Sequence, residues 1–402
     1  MFNTIDLFSG CGGLTEGFKQ SKKYRLVAAL DWELDTVTTL KQRLATRWGV
    51  KDADQLVLHF DIQRTDELIG GYSNDPVYGT SAGLESLAKG GAVDVVIGGP
   101  PCQAYSIAGR ISDKNNMEDD YRNYLFESYL EVIKHFRPKA CVFENVTGML
   151  SAKPGGVQII DRIAKAFKEV GYVIAENIAR DATFDLSEFS VPQKRKRVII
   201  AAFCEKQFSD PYKKIESFYS KLNSYKNLAP KTVEQAILDL PAIYPLDNPE
   251  RRKSHYLACE KTPFEFDHNP RYHNPRDVEI FKLLAADIES EQYKYASTEA
   301  LKQLYTEKTG RTSSVHKYHV LRTNEPSNTI PAHLSKDGLR HIHPSSKQAR
   351  SITVREAARL QTFPDDFMFY GSNGSKYRMI GNAVPPLFSK YIAKSLAGIL
   401  NN

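Results

Sequence analysis

One thiol stands where chemistry is easily staged. In Val93-Asp-Val-Val-Ile-Gly-Gly-Pro-Pro-Cys-Gln-Ala-Tyr-Ser106, the apolar run Val93–Ile97 meets a Gly-Gly-Pro-Pro turn that delivers Cys102. In an open parallel sheet, reacting groups gather just past the carboxyl ends of the strands. A cysteine in such a turn is a candidate nucleophile, because thiolate is intrinsically reactive and the turn keeps it accessible. Read alone, the same residue is a small buried thiol at a strand end, the commoner fate of a free cysteine.

Four other stretches carry residue types suited to a ligand or a reaction. Ser9-Gly-Cys-Gly-Gly13 follows an apolar run and precedes a helical pattern. Such a turn lets backbone approach a ligand and aims helix N–H groups at it, although it is not the dinucleotide fingerprint and could be only a tight turn. Asp31-Trp32 closes a second apolar run, and an acid about 20 residues after a glycine turn is where a Rossmann-like fold binds ribose hydroxyls. Trp32 could stack on an adenine or simply fill a core. Glu144-Asn145-Val146 closes another apolar run, and Gln193-Lys-Arg-Lys-Arg197 sets Arg195 and Arg197 two apart, hence on one side of an extended segment.

These residues need strands and helices to hold them. Apolar stretches predict strands over Asn3–Phe8, Arg25–Leu30, Gln55–Phe60, Val93–Ile97, Ala140–Phe143, Tyr172–Ile178 and Val198–Phe203. Helical spacing predicts helices over Leu14–Lys19, Tyr124–Phe136 and Val157–Val170, while 70–91 reads as a long surface excursion. The alternation implies an α/β fold, a doubly wound and mostly parallel sheet over roughly the first 205 residues. After Cys204 the chain turns polar and irregular. Helices are predicted over Thr232–Leu240, Asp277–Ile288, Thr298–Glu307, Thr353–Gln361 and Leu387–Leu400.

Composition bounds the rest. With 402 residues, 41% hydrophobic and 25% charged, a folded chain of two domains is expected. No apolar run approaches the roughly 20 residues that span a bilayer, so no membrane partner is expected. Met1–Asp6 lacks the basic start of a signal peptide. Five cysteines, odd in number and scattered, suit free thiols in a reducing cytoplasm. Net charge is +6, yet residues 193–232 hold ten Lys/Arg against three Asp/Glu. That surplus suits a polyanion, whereas a solvated charged face is the ordinary explanation. Cys259 and the nearby histidines match no standard zinc spacing, so no metal is expected.

The motifs also come in a telling order. Asp6-Leu-Phe-Ser-Gly-Cys-Gly-Gly-Leu14, Gly99-Pro-Pro-Cys-Gln103, Glu144-Asn-Val146, Gln193–Arg197, Thr353-Val-Arg-Glu-Ala-Ala-Arg-Leu-Gln361 and Gly381-Asn-Ala-Val-Pro385 closely resemble, in wording and sequence, the cytosine-C5 DNA methyltransferases of bacterial restriction-modification type. The resemblance covers nearly the whole chain except 244–340. It implies a Rossmann-like S-adenosylmethionine-dependent methyltransferase fold, with 1–204 and 371–402 forming the catalytic, donor-binding domain. A smaller, irregular domain, 205–370, would contain the target-recognition region at about 244–340.

The resemblance further implies S-adenosyl-L-methionine as cofactor and a cytosine in double-stranded DNA as substrate. Cys102 would add to carbon 6, Glu144 would protonate ring N3, Arg197 would contact O2 and Arg195 would support the loop or a phosphate. The cofactor would lie at Phe8, Gly10, Gly12, Gly13, Asp31, Trp32, Asp61 and Ile62, with Pro101, Leu125 and Asn382 completing the pocket. Asp31 stands where glutamate is usual and shortens the reach to ribose. Because the target atom is hidden in a stacked duplex, the nucleotide must be extruded, and 103–121 is the expected closing loop. His255, His268, Asn269, His273 and Asn274 are candidates to address base edges. A cognate restriction endonuclease is expected as a functional rather than physical partner, with the enzyme a cytoplasmic monomer. Two readings compete: an RNA (tRNA) cytosine-C5 methyltransferase, and a noncatalytic DNA-binding protein on the same fold.

Overall fold

Strands buried on both faces read as continuous apolar runs, and this chain supplies them between amphipathic helices. In the computed structural model, residues 1–101, 125–227, 229–246, 266–336 and 338–401 are described, with the backbone of Tyr256–Ala258. In chain order come β1 (Phe2–Leu7), α1 (Gly13–Ser21), β2 (Tyr24–Asp31), α2 (Leu34–Trp48), β3 (Val57–His59) and β4 (Val95–Gly98). Next come α3 (Leu125–Phe136), β5 (Ala140–Val146), α4 (Ile159–Glu169), β6 (Tyr172–Val173), β7 (Thr183–Asp185), β8 (Lys196–Cys204) and α5 (Pro211–Asn223). The chain continues through α6 (Val233–Ile237), α7 (Pro275–Glu289), α8 (Thr298–Thr309), α9 (Val354–Leu360), α10 (Asn373–Asn382) and α11 (Pro386–Leu400).

The main sheet runs β3-β2-β1-β4-β5-β8-β6, with β7 also paired to β8. Strands β1 to β5 are parallel to one another, and β8 is antiparallel to β5, β6 and β7. The chain winds outward from β1 to β3 and then crosses to β4. That reversal opens a crevice beyond the carboxyl ends of β1 and β4, the place where ligands bind in such sheets.

The described chain divides into two units. The first holds Met1–Phe189, Arg195–Leu228 and Ala383–Asn402; the second holds Ser190–Lys194 and Ala229–Asn382. Within the first, α11 packs on α1 so tightly that a Cβ at Gly13 would lie 2.3 Å from the Val384 carbonyl oxygen. Tyr24 of β2 donates its hydroxyl to the Ala393 carbonyl at 2.8 Å, pinning α11 further. The second unit has its own core, built from Ile280, Phe281 and Leu284 of α7 with Leu304, Tyr318 and Ile342. None of the described helices is long and apolar enough to cross a membrane.

Several expectations change in detail. Ala53–Leu56 forms a helical turn, so β3 begins only at Val57. The strand expected over Tyr172–Ile178 stops at Val173, and the Asn177 side chain caps a turn at Ile178–Asp181 by accepting from the Arg180 amide. The excursion 70–91 holds a hairpin, Tyr72–Asp75 with Gly79–Ser81, and a short helix, Gly83–Leu87.

Two of the three histidines expected to address bases are instead buried and hydrogen-bonded within the protein. His268 is buried and bonds Thr353 Oγ1 at 3.0 Å and the Pro241 carbonyl at 2.9 Å. His273 is buried and lies 2.8 Å from Ser351 Oγ. Asn274 caps α7 by accepting from the Asp277 amide. Asn269 is exposed, while His255 lies outside the described residues. The basic surplus of 193–232 is not one bare face either. Lys194 pairs with Glu325, Arg197 with Glu144 and Lys226 with Glu188, and Arg195 is fully buried.

Candidate active site

Register brings the motif residues to one edge of the sheet. Leu7 pairs with Gly98, and Gly98 with Phe143, so Phe8–Gly13, Gly99–Pro101 and Glu144–Val146 all follow from adjacent strand ends. Gly99 is required by close approach: a Cβ there would lie 2.7 Å from Glu144 Oε2. Asn145 holds the turn from the other side. Its Nδ2 donates to the Pro100 carbonyl at 3.4 Å, and its Oδ1 accepts from the Val146 amide at 2.8 Å. Two residues past Pro100 comes Cys102, which lies outside the described residues, as does the 103–121 loop.

Glu144 is largely buried, and Arg197 Nε lies 2.9 Å from its Oε1. Antiparallel pairing sets Ile199 opposite Glu144 and Arg197 opposite Val146. Residues directly opposite share a face, so Glu144 and Arg197 are diagonal neighbours on one side of the sheet. Arg197 Nη1 also donates to the Lys196 carbonyl at 2.7 Å, which fixes the guanidinium plane. Arg195 has a different setting. Strand pairing in β8 begins at Lys196, and the Arg195 side chain is buried, with Nη2 donating to the Ala383 carbonyl at 3.1 Å. The even spacing of 195 and 197 therefore does not make them one surface.

Of the residues expected to hold a cofactor, those from Phe8 to Ile62 sit around the ends of β1 to β3. Phe8 and Gly10 have left-handed backbones, at φ 59° and 53°. The Gly10 amide donates to Asp31 Oδ2 at 2.9 Å, while Asp31 Oδ1 accepts from the Glu33 amide and Thr36 Oγ1 at 2.9 and 3.0 Å. Burial raises the Asp31 pKa, partly opposed by these hydrogen bonds. The same carboxylate thus braces the glycine turn. Trp32 is 61% exposed, a large ring left bare at the end of β2. Asp61 is half-buried and caps the Gln63 amide, Ile62 and Leu125 are buried, and Pro101 is half-buried. Gly12 lies at φ 93° before Gly13 opens α1, and Asn382 is exposed at the end of α10 in the second unit.

Three features fit a nucleoside-bearing ligand here. A Cβ at Gly10 would meet nothing within 4 Å, so there is room over the turn. Ser9 Oγ and Asp6 Oδ1 are buried without a hydrogen-bond partner. The bare Trp32 ring offers a face for a planar base. Asp6 is completely buried, and burial pushes its pKa up to about 7 although Thr15 Oγ1 donates to it at 2.5 Å. Sequence reasoning missed the Asn145 tether and the Ser9 hydroxyl, although each stands inside a motif it had singled out. A groove of about 370 Å³ beside β6, lined by Tyr172, Glu176 and Tyr212 among others, contains none of the expected site residues.

Comparison with known proteins decides the family. The sequence model of the C-5 cytosine-specific DNA methylases matches residues 2–73 and 80–398. The chain belongs to that family. Type II methyltransferase M.Bpa9945I of Bacillus paralicheniformis is 34% identical across 99% of this chain and 99% of its own length. Type II methyltransferase M.AgeI of Thalassovita gelatinovora is 30% identical across 98% of each chain. Among solved structures, a protein assigned as a DNA modification methyltransferase and encoded within an E. coli prophage superposes with a TM-score of 0.63 over 100% of both chains, at 22% identity. That last likeness concerns the fold. The protein is a DNA (cytosine-5-)-methyltransferase, transferring a methyl group to carbon 5 of cytosine. In this methyltransferase residues 74–79, the tip of the 72–81 hairpin, fall between the two matched stretches.

Proposed function

We propose that this methyltransferase acts on a cytosine swung out of duplex DNA, through a transient bond from Cys102 to carbon 6, with S-adenosylmethionine as donor. One observation carries the reading: the Glu144–Arg197 ion pair at 2.9 Å, set against the Gly-Pro-Pro turn that leads to Cys102. Carbon 5 of cytosine is a poor nucleophile. Addition of the Cys102 thiolate at carbon 6 makes it enamine-like, splitting one hard step into easier ones. The addition pushes charge onto N3, where Glu144 donates a hydrogen bond or proton. Arg197 holds O2 and orients the ring, and Arg195 supports the segment that carries Arg197. Once carbon 5 is methylated, loss of its proton and of the thiolate restores the aromatic ring.

The donor is held by the Gly10 turn, with Trp32 against the adenine and Asp31 near the ribose. When bound, S-adenosylmethionine supplies an electrophilic methyl group on a sulfonium sulfur. Asp31 must then share its carboxylate between the ribose and the amides it already caps. In this reading the first unit carries the chemistry, and 244–340 of the second reads the target in double-stranded DNA. The type II relatives support a role as partner in function to a restriction endonuclease, protecting its sites, and the enzyme acts as a monomer in this reading.

The test uses a duplex containing 5-fluorocytosine, in which the C5 substituent cannot leave as a proton. Wild type plus donor is expected to give a denaturant-stable adduct, and Cys102→Ala none. Cys102→Ser is expected to lose turnover by at least ~1,000-fold while duplex binding persists. Bisulfite sequencing of DNA from expressing cells identifies the site for that duplex. If the wild type forms no adduct on its own site, the covalent route is wrong.

A further inference from the structure

The hairpin at 72–81 stands beyond the end of β3. It is closed at its base, because a Cβ on Gly83 would lie 2.3 Å from the Gly71 amide nitrogen, so the chain leaves and returns at one point. Its two tyrosine rings turn toward the strand end. Tyr72 stacks on Phe60 with ring centroids 4.2 Å apart, and Tyr78 meets Phe60 and His59 edge-on at 5.0 and 5.1 Å. The Arg64 guanidinium lies over Phe60 and Tyr78 at 4.9 and 5.7 Å and bonds Glu67 and Asp75. Asp75 Oδ1 accepts from the Val77 and Tyr78 amides, both at 2.9 Å, a side-chain turn that fixes how Tyr78 leaves the tip. His59 Nε2 in turn lies 3.0 Å from the Trp32 carbonyl oxygen, and His59 pairs with Asp31 in the sheet. A continuous line of contacts thus runs from Arg64 through Tyr78 and His59 to Trp32. Tyr78 is also near enough to Asp61 for that carboxylate, after burial, to raise its phenol pKa.

We propose that this hairpin is a clamp on the adenine end of the donor site, with Tyr78 and Arg64 as positioning residues for Trp32 and Asp61. The inference rests on the donor reading above. Its physical basis is the weakness of what the hairpin covers. β3 has three residues and sits at the sheet edge, paired on one side only. Short edge strands open locally more readily than central ones. Trp32, bare on its ring, is held through its main chain, and His59 provides one of those bonds. The hairpin packs where that edge would fray, and its tip lies outside the stretches common to the family. It therefore adds donor affinity without touching the Glu144–Arg197 pair.

The full-length protein is titrated calorimetrically with S-adenosylhomocysteine, and donor kinetics are measured on a duplex substrate. Tyr78→Ala is expected to weaken binding ~10-fold, which corresponds to about 1.4 kcal/mol, and to raise the donor KM similarly. At saturating donor, kcat is expected to stay within about twofold, the signature of lost ground-state binding. Tyr78→Phe is expected to restore wild-type affinity, because the ring rather than the hydroxyl makes the contact. An unchanged Kd in folded Tyr78→Ala overturns the clamp, as does a fall in kcat with KM unaltered. Should Tyr78→Ala not fold, Asp75→Ala decides by the same Kd, since it removes one of the two carboxylates on Arg64 and the turn that aims Tyr78, and leaves the ring. If the wild type fails to bind S-adenosylhomocysteine, the donor reading itself falls and takes the clamp with it.

Discussion

Glycine at 99 sets how near the Pro-Pro turn comes to the acid. A methyl group there would sit 2.7 Å from Glu144 Oε2, so either the carboxylate or the turn must move. Displacements of about 1 Å at a reacting group can cost ~100-fold in rate. Gly99→Ala is therefore expected to lower turnover by about that factor while the thermal midpoint barely moves. Full turnover in this variant would separate the turn from the chemistry. At this scale the sequence was informative where residues stand at strand ends. Glu144 and Arg197, each singled out beside an apolar run, form an ion pair with one another. It misled where a partner is distant. His268 and His273 bond hydroxyls 85 and 78 positions away, and no local pattern distinguishes such histidines from exposed ones. Asp31 was read as a ribose-binding acid, and no local pattern announced that both its oxygens also hold protein donors.

Helix α9 shows how a motif can be structural rather than chemical. Thr353 and Glu356 form a reciprocal cap, and Glu356 also takes both Arg350 amino groups at 2.7 Å in a fully buried pair. Arg355 donates to the carbonyls of Phe266, Pro364 and Phe367, while Arg359 pairs with Asp239 and Asp365. Removing one member of a buried pair leaves the other charge uncompensated, at a cost of about 3–5 kcal/mol. Glu356→Ala is expected to lose that much in urea unfolding, cap included; a loss under ~1 kcal/mol would mean Arg350 finds another partner. Elements also mark what patterns withhold. The apolar run Val198–Phe203 announces a buried strand but not its direction, and β8 proves antiparallel. The polar composition of 70–91 hid a hairpin because its strands pair through backbone and a few rings, not through an apolar face.

Across the molecule, the most deeply buried titratable groups of the two units respond to pH in opposite senses. In the second, burial holds His341 and His343 at about 3 and His319 at about 4, below the ordinary 6.5. Unfolding lets these rings take up protons, so stability is full above about pH 6.5 and falls as pH drops toward 4, by up to ~1.4 kcal/mol per pH unit for each titrating ring. In the first, Asp6 is raised to about 7 from 3.8. The folded state then binds the proton more tightly, so this contribution is present below 3.8 and lost as pH rises through 7. Hydrogen exchange followed by segment is expected to show residues 275–345 losing protection on acidification before β1 and β2 do; equal loss would count against the buried histidines. The doubly wound sheet was legible because alternation of strand and helix is local, whereas the division of the chain depends on contacts between segments far apart in sequence. The long stretch of the second unit follows Leu228 and ends before Ala383, whose carbonyl accepts from Arg195 Nη2 at 3.1 Å within the first unit. Two splice points, at 229 and 382, would suffice to exchange that stretch, with Ser190–Lys194 left in place. A lineage could thus trade one address for another by recombination, with its reaction machinery inherited intact.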